Sequence, residues 1–297
     1  MIELWNQLAA TFQSSSLTLI DDPYLRQQGI ELWLKRDDLL HPIVSGNKWR
    51  KLKYPLIDAL NSDKKTIISM GGAYSNHLHA LAFVGQALKL KTRAFIRGEK
   101  PLILNPTLRD LLDWQMELTF ISRNDYRLLR ANPEMFVEFN AKNYWLMEGG
   151  YSPLALIGVG EMIGEINNDY QVLCVACGTG TTLAGIINAS DATKQIIGFS
   201  ALKSAQFLYP QVEALLNNSK GQQWHIEFDY HHGGFAKMTP ALIAFIGRFQ
   251  QQHQIPLEPI YTAKMLYGIY DLIAQGYFSS GQRIIAIHSG GLQGYRQ

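Results

Sequence analysis

Cysteines, long apolar runs and clusters of like charge are all scarce in this sequence, and each scarcity excludes a class of protein. The 297 residues contain two cysteines, too few for a disulfide framework, so a reducing compartment is expected. The net charge is +2 with Lys and Arg scattered along the chain, which gives no electrostatic footprint for nucleic acid. No run approaches the roughly 18 apolar residues of a membrane span, and the N-terminus shows no signal-peptide pattern. We therefore expect a soluble, cytoplasmic protein without a nucleic-acid or membrane partner.

The two cysteines, Cys174 and Cys177, form a Cys-x-x-Cys pair, a spacing that occurs at redox and metal sites. A zinc site needs about four ligands, and no second Cys or His pair stands at ligand spacing. Two small residues packed in a buried strand are therefore the preferred interpretation, and no metal is expected. A redox or metal protein built on this pair is the alternative, and it predicts thiol-dependent activity or bound metal.

Apolar β-type runs alternate with helical stretches through most of the chain. Strands are predicted at Thr66–Met70, Thr92–Ile96, Gln171–Ala176, Gln195–Phe199 and Arg283–His288. Helices are predicted at Asn76–Leu90, Thr107–Met116 and from Thr181 to Asn188. Such alternation is typical of parallel sheets covered on both faces. The two groups of strands predict two open, mostly parallel α/β domains, with ligands in a cleft at the carboxyl ends of the strands.

The first candidate site segment surrounds Lys48. Gly46 and Asn47 favour a tight turn, so Lys48 is predicted to begin a helix. A lysine at a helix N-terminus, near other cations, has its charged form disfavoured, and the neutral amine can attack an aldehyde. Because more basic residues follow, a solvated basic helix face is the alternative interpretation.

The second segment leads from Gly71-Gly72 to Ser75-Asn76, between a strand and a helix. Free backbone N–H groups at such a junction can bind an anion, for example a substrate carboxylate. Ser75 and Asn76 are also ordinary N-cap residues, which would by itself explain their presence.

The third segment, Gly178-Thr179-Gly180-Thr181-Thr182, again lies between a strand and a helix. Its backbone donors and hydroxyls suit a phosphate, although it matches neither of the standard glycine-rich nucleotide motifs. In the fourth segment Tyr261 and Thr262 are placed at the end of a short β run, where they could serve as acid/base and ring-nitrogen partner. Packing within a strand is the alternative for this pair.

The ordered set of these motifs resembles the family of 1-aminocyclopropane-1-carboxylate deaminase and D-cysteine desulfhydrase. These are pyridoxal-phosphate enzymes with the fold of the tryptophan synthase β chain, and homodimers are usual among them. The resemblance spans about residues 30 to 295. The matching segments are Lys35-Arg36-Asp37-Asp38, Ser45-Gly46-Asn47-Lys48, Gly71-Gly72 with Ser75-Asn76-His77, Gly178–Thr182 and Tyr261-Thr262 with Lys264.

This resemblance implies a cofactor site. Lys48 matches the lysine that binds pyridoxal phosphate covalently and later moves the substrate proton. Asn76 matches the residue that hydrogen-bonds the ring hydroxyl, and Thr262 the partner of the ring nitrogen. The phosphate cradle corresponds to Gly178, Thr179, Gly180, Thr181 and Thr182.

The resemblance also implies a substrate site. Ser75 matches a serine that lies against the substrate carboxylate and is catalytic in the cyclopropane deaminases. Tyr261 matches a catalytic tyrosine near the reacting carbon. Asn76, His77 and Tyr74 are expected to contact the substrate as well.

Three residues depart from the family pattern. Thr262 stands where the cyclopropane deaminases have a glutamate, whereas the desulfhydrases resemble this sequence in having threonine. A hydroxyl supports protonation of the ring nitrogen less than a carboxylate does. Tyr74 replaces a common glutamine, and Phe235 stands at the position of a second active-site tyrosine, so both put the substrate in doubt.

From these implications we expect a lyase, deaminase or hydrolase that acts on a small amino acid. D-Cysteine desulfhydrase-like β-elimination to pyruvate and ammonia is the first expectation, and 1-aminocyclopropane-1-carboxylate deamination is the alternative. A racemase or dehydratase of the same fold is a third possibility, and a cofactor-binding protein with little activity is an alternative of another class. Domain bounds are expected at residues 1–47 with 152–297, the large cofactor-binding domain, and 48–151, the small one.

Overall fold

The computed structural model describes residues 2–217 and 221–295, which form strands β1–β10 and helices α1–α11. The strands are β1 Leu17–Leu19, β2 Glu31–Lys35, β3 Thr66–Gly71, β4 Lys91–Arg97, β5 Glu117–Ile121, β6 Asn143–Leu146, β7 Val172–Cys177, β8 Gln195–Ser200, β9 Gln223–Glu227 and β10 Arg283–Ile287. The helices are α1 Ile2–Ala9, α2 Pro23–Gln27, α3 Asn47–Asn61, α4 Asn76–Ala87, α5 Pro106–Asp113, α6 Arg123–Ala131, α7 Pro153–Gly164, α8 Thr181–Ala189, α9 Leu208–Glu213, α10 Pro240–His253 and α11 Thr262–Ala274.

The chain divides into two compact units. Unit 1 comprises residues 2–13, 40–158 and 293–295 of the described chain, and unit 2 comprises 14–39 and 159–292 without the undescribed 218–220. Residues 2–13, 40–47, 152–158 and 293–295, which were expected in the large domain, lie in unit 1. For residues 2–13 the physical reason is aromatic packing, because Trp5 and Phe12 both stack on Trp49 of α3.

Unit 1 is built on a parallel sheet of order β5-β4-β3-β6. Successive residues of β3 point to opposite faces, so Ile67 packs in one buried cluster while Ile68 and Met70 pack in another. Burial of both faces explains why the strand is an unbroken apolar run rather than an alternating one. The carboxyl end of β3 leads into Gly72 and then into α4.

Unit 2 is built on a sheet of order β1-β2-β10-β7-β8-β9, in which the β1–β2 pair is antiparallel and the other four pairs are parallel. Its main core lies between this sheet and helices α10 and α11, with Ile246, Leu266 and Ile269 among its buried members. β7 occupies the middle of the sheet and leads directly to the loop before α8. The predicted mostly parallel α/β fold is therefore confirmed in each unit.

The expected short β run ending at Tyr261 and Thr262 is wrong. Residues 255–259 form no strand, and Thr262 is the first residue of α11. The apolar, β-branched residues of this stretch have strand propensity, but the backbone N–H groups of residues 260 and 261 donate to the Glu258 side chain instead of to a neighbouring strand.

Candidate active site

Lys48 is the second residue of α3, so the predicted helix start is confirmed. Gly46 precedes the helix with φ 63° and ψ −145°, a backbone conformation that favours glycine and that turns the chain into α3. The Lys48 side chain is half-buried, and its Nζ donates to Asn47 Oδ1 at 3.0 Å. A short-range contact of this kind holds the amine at the N-terminal end of the helix.

His77 is buried in the first turn of α4 and has a fixed hydrogen-bonding arrangement. The Ser69 hydroxyl donates to the carbonyl of Leu146 at 2.7 Å, so its oxygen accepts from His77 Nε2 at 2.9 Å. Nδ1 is then a bare acceptor, and it has no hydrogen-bond partner among the described residues. Burial, together with the charges of Lys48 and Lys51, lowers the pKa of His77 to about 3, so the ring is neutral near pH 7.

Ser75 is the N-cap of α4, and its Oγ accepts from the N–H of Leu78 at 3.2 Å. The N-cap interpretation is therefore correct, and any contact with a substrate would be additional to it. Gly71 allows this turn, because a Cβ there would lie 2.7 Å from Ser75 Oγ. Asn76 follows the cap, and its Oδ1 accepts from Gln293 Nε2 at 3.0 Å.

The loop between β7 and α8 contains the predicted phosphate cradle. Gly180 has φ +75°, the left-handed region, and precedes Thr181 as the helix N-cap. Thr179 Oγ1 and Thr181 Oγ1 are 3.0 Å apart and share a hydrogen bond. The first N–H groups of a helix have no intrahelical acceptor, so this loop can bind an anion through its backbone.

Tyr261 lies against the same loop. A Cβ on Gly178 would stand 3.2 Å from Tyr261 Cε1 and 3.3 Å from its hydroxyl oxygen, so the ring packs where a larger residue would crowd it. The neighbouring Thr262 is completely buried at the start of α11. Its Oγ1 has no hydrogen-bond partner in the described part of the chain. The structure thus brings together the cradle, Tyr261 and Thr262 within unit 2.

The two aromatic residues that depart from the family pattern are both accessible. Phe235 is 48% exposed, and its ring meets that of Tyr261 edge-on with centroids 6.1 Å apart. Tyr74 is 64% exposed in the turn that precedes α4. Each ring therefore presents part of its surface to solvent.

Residues 17–290 match the family described as pyridoxal-phosphate dependent enzyme. The chain belongs to this family. Among known proteins, this pyridoxal-phosphate enzyme is 28% identical to a Pyrococcus horikoshii protein with the provisional name 1-aminocyclopropane-1-carboxylate deaminase, over 91% of this chain and 87% of that protein. It is 29% identical to the Arabidopsis thaliana bifunctional D-cysteine desulfhydrase/1-aminocyclopropane-1-carboxylate deaminase, over 90% of this chain and 73% of the relative.

Among solved structures, this pyridoxal-phosphate enzyme resembles the crystal structure of an ACC deaminase homologue, with a TM-score of 0.81 and 24% identity. The likeness covers 100% of this chain and 97% of that one. The family, the cofactor and the fold class predicted from the sequence are therefore confirmed. The expected label of hydrolase is not supported, since the relatives are named for desulfhydrase and deaminase activities.

Three observations fit this enzyme's residues to its cofactor. The first turn of α8 offers N–H donors to a phosphate. Thr262 Oγ1, buried and without a described partner, can donate to a ring nitrogen. Asn76 has its carbonyl oxygen occupied by Gln293, which leaves its NH₂ group as the donor for a ring oxygen.

The Lys-Arg-Asp-Asp motif of this pyridoxal-phosphate enzyme places buried charged side chains at the end of β2, each paired with an opposite charge. Lys35 Nζ donates to Glu165 at 2.7 Å, and Arg36 pairs with Asp38 through two bonds of 2.9 and 2.7 Å. Buried charges need such partners, so this part of the motif stabilises the sheet end.

Cys174 and Cys177 are buried in β7 and form no disulfide with each other, as the strand interpretation predicts. Burial raises the pKa of the Cys174 thiol, which disfavours the reactive thiolate. Residues 2–217 and 221–295 contain no group of three side chains placed to hold a metal ion. In the same residues, no helix is long and apolar enough to cross a bilayer.

The sequence alone did not indicate a role at the site for two residues near Tyr261, namely Glu258 and Lys264. Glu258 precedes Pro259 and lies just before the helix, and Lys264 was noted only as part of a motif. An acidic residue just before a helix is a recognised capping signal, but Glu258 was not interpreted in this way because a strand was expected there.

Proposed function

We propose that this enzyme removes the β substituent of a small amino acid, with D-cysteine as the first substrate to test. The balanced reaction converts D-cysteine and water to pyruvate, ammonia and hydrogen sulfide. Deamination of 1-aminocyclopropane-1-carboxylate is the second candidate, and the Arabidopsis relative, which carries both names, supports both.

The observation that carries the choice is the buried hydroxyl of Thr262, which has no hydrogen-bond partner within residues 2–217 and 221–295. A carboxylate at this position would keep the cofactor nitrogen protonated, whereas a hydroxyl does so much less. Glu258 does not replace that carboxylate, because its oxygens already accept from the N–H groups of Ile260 and Tyr261. Weaker electron withdrawal suffices for loss of a thiol and is less suited to the opening of a cyclopropane ring.

In this proposal Lys48 would hold the cofactor covalently, and once the substrate amine has taken its place, the released Lys48 amine would move the proton at the substrate α carbon. The backbone of Gly178–Thr182 would bind the phosphate, the Asn76 amide would donate to the ring oxygen and the Thr262 hydroxyl would donate to the ring nitrogen. The bound cofactor supplies an electron sink for the bond-breaking step.

The substrate carboxylate is assigned to the N-terminus of α4, where Ser75 and Asn76 begin the helix and the backbone donors suit an anion. Tyr261 is assigned to the leaving sulfur, to which its hydroxyl donates a proton as the carbon–sulfur bond breaks. Tyr74 and His77 complete the proposed substrate-binding set. The homodimer expected from the family and the cytoplasmic location expected from the sequence also stay predictions.

The covalent link gives the first test. Purified protein supplied with pyridoxal phosphate should gain a near-ultraviolet to visible absorbance band, and borohydride should fix the cofactor to the peptide that contains Lys48. Lys48→Ala should lose the fixed adduct, whereas Lys53→Ala, on the next turn of α3, should keep it. Fixation at another lysine, or none, would refute the assignment.

The reaction gives the second test. With D-cysteine we expect equal amounts of sulfide and pyruvate, and Thr262→Glu should shift activity toward the cyclopropane substrate, which yields a four-carbon 2-oxoacid. Faster turnover of the cyclopropane substrate by the wild type would favour the second candidate. Bound cofactor with no product from a panel of D- and L-amino acids would favour a protein with little activity.

A further inference from the structure

Glu258 is a buried carboxylate directly before α11, with 2% of its surface exposed. Its Oε1 accepts from the N–H of Ile260 at 2.8 Å and its Oε2 from the N–H of Tyr261 at 2.7 Å. A backbone hydrogen bond from Thr262 adds to these, and the carbonyl of Glu258 accepts from Ala263 at 3.0 Å. One residue thus binds the backbone of every residue from 260 to 263.

Those backbone groups belong to the residues that carry the site chemistry. Since Tyr261 and Thr262 are consecutive, their backbone orientation sets where the phenol and the buried hydroxyl stand. Buried N–H groups at a helix start need an acceptor, and a carboxylate there is also favoured by the helix dipole. Glu258 therefore fixes the position of two functional groups through their main chain.

Lys264 lies in the first turn of α11 and binds the backbone of the loop that leads to Phe235. Its Nζ donates to the carbonyls of His231 at 2.9 Å and Gly234 at 2.8 Å, and the side chain is buried. Gly234 precedes Phe235, whose ring meets the Tyr261 ring edge-on. Lys264 thereby ties the loop that bears Phe235 to the helix that follows Tyr261.

The two charges are buried and influence each other. Burial raises the pKa of Glu258 to about 7, against the opposing effect of its backbone donors and Lys264. Burial lowers the pKa of Lys264 to about 8, against the opposing effect of Glu258. Burial of two ionisable groups costs stability unless each has close polar partners, and the backbone groups that Glu258 and Lys264 bind are those partners.

We infer that Glu258 and Lys264 are positioning residues that hold the Tyr261 phenol and the Thr262 hydroxyl, and the adjoining Phe235 loop, in their reactive arrangement. The inference rests on the proposed function, in which Tyr261 and Thr262 take part in the reaction. It adds that the pair acts through the main chain of residues 260–262 and through the carbonyls of 231 and 234.

Asp22 provides a matched control for Glu258. It is also a buried carboxylate in unit 2, it caps α2 by accepting from the N–H of Tyr24 at 2.8 Å, and it accepts from the hydroxyl of Tyr270. No residue assigned to the reaction lies in α2. Asp22→Asn should therefore lower the melting temperature while kcat stays unchanged.

The experiment compares Glu258→Gln with this control in the cofactor-loaded enzyme acting on D-cysteine. Glu258→Gln should lower kcat by roughly 10- to 100-fold, because small misplacements of reacting groups have effects of this size, with a smaller change in KM. It should also shift the absorbance band of the bound cofactor, which a purely structural change elsewhere would not do. Combined with Tyr261→Phe, it should add little to the loss that Tyr261→Phe causes alone.

Lys264→Met gives a second, independent test and serves if Glu258→Gln lowers the yield of folded protein. Lys264→Met should also lower kcat. In the double variant with Tyr261→Phe, the loss of kcat should be about the same as in Tyr261→Phe alone. Equal loss of melting temperature in Glu258→Gln and Asp22→Asn with kcat unchanged in both would overturn the inference, as would fully multiplicative losses in the double variants. If Tyr261→Phe and Thr262→Val themselves change neither kcat nor absorbance, the proposed roles and the inference both fail.

Discussion

Thr262 Oγ1 and His77 Nδ1 are buried polar atoms without a partner in the described part of the chain. An unsatisfied buried polar atom costs stability, so its retention calls for an explanation such as a ligand or a catalytic role. Both atoms lie in the first turn of a helix, α11 for Thr262 and α4 for His77, within segments that the sequence already marked. At the scale of single residues, unused hydrogen-bonding capacity is thus the strongest structural support for the proposed site.

Replacing Thr262 by valine removes this hydroxyl and keeps the shape of the side chain. Without cofactor, the free energy of unfolding should stay the same or rise by up to about 1 kcal/mol, since no hydrogen bond is lost. With cofactor, affinity for pyridoxal phosphate should fall by about 1 kcal/mol, which is roughly fivefold. Urea unfolding and cofactor titration measure the two effects.

Thr181→Val is the control for this comparison, because the buried Thr181 hydroxyl is hydrogen-bonded to Thr179. It should destabilise the cofactor-free protein by about 1 kcal/mol. Equal destabilisation by both valine substitutions would show that Thr262 has a structural partner and would remove the basis for its assignment.

His77 should make stability depend on pH. Its pKa falls from 6.5 to about 3 on folding, so between these pH values the His77 ring binds a proton in the unfolded chain but not in the native protein. The stability is therefore complete above about pH 6.5 and is lost as the pH falls toward 3, with a slope that approaches about 1.4 kcal/mol per pH unit. His77→Gln should reduce this slope in urea unfolding between pH 7 and 5, and an unchanged slope would contradict the buried, neutral state.

At the scale of elements, the junctions after β3 and β7 were predictable because each combines an apolar strand, glycines and hydroxyl residues before a helix. The helix start at Lys48 followed in the same way from Gly46 and Asn47. The start of α11 was not predictable, because Ile260, Tyr261 and Thr262 favour a strand by propensity alone. The side chain of Glu258 stabilises the helix start instead of a strand, and its hydrogen bonds are evident only in the folded structure.

Gly180 tests the junction before α8. Alanine there would have to adopt φ +75°, and its Cβ would stand 2.7 Å from Val212 Cγ2. We expect Gly180→Ala to lower the free energy of unfolding by roughly 1–3 kcal/mol and to weaken cofactor binding, because the loop must shift. Thermal unfolding and cofactor titration measure both.

Gly164→Ala is the matched control, since a Cβ at Gly164 meets no atom within 4 Å at the end of α7. This change should be neutral or slightly stabilising. If the two alanine variants have similar free energies of unfolding and similar cofactor affinities, the loop before α8 tolerates both the left-handed backbone strain and the close contact.

At the scale of the whole molecule, the pattern of strands predicted two parallel α/β units, and the structure contains two. The bounds were harder to derive from local sequence, because the assignment of residues 2–13 depends on the packing of Trp5 and Phe12 against Trp49. These contacts join residues that are far apart in the sequence, so no local hydrophobic periodicity predicts them.

Hydrogen exchange with and without pyridoxal phosphate tests the proposed set of cofactor-binding residues, namely Lys48, Asn76, Gly178–Thr182 and Thr262. Since a ligand that binds only the native state suppresses the openings of the segments it contacts, amides at the starts of α3, α4, α8 and α11 should all exchange more slowly when the cofactor is bound. In Lys48→Ala, protection at α8 should persist in part, because the phosphate donors are intact, while protection at α3 should be lost. If any of these four helix starts gains no protection in the wild type, the residues assigned there do not bind the cofactor.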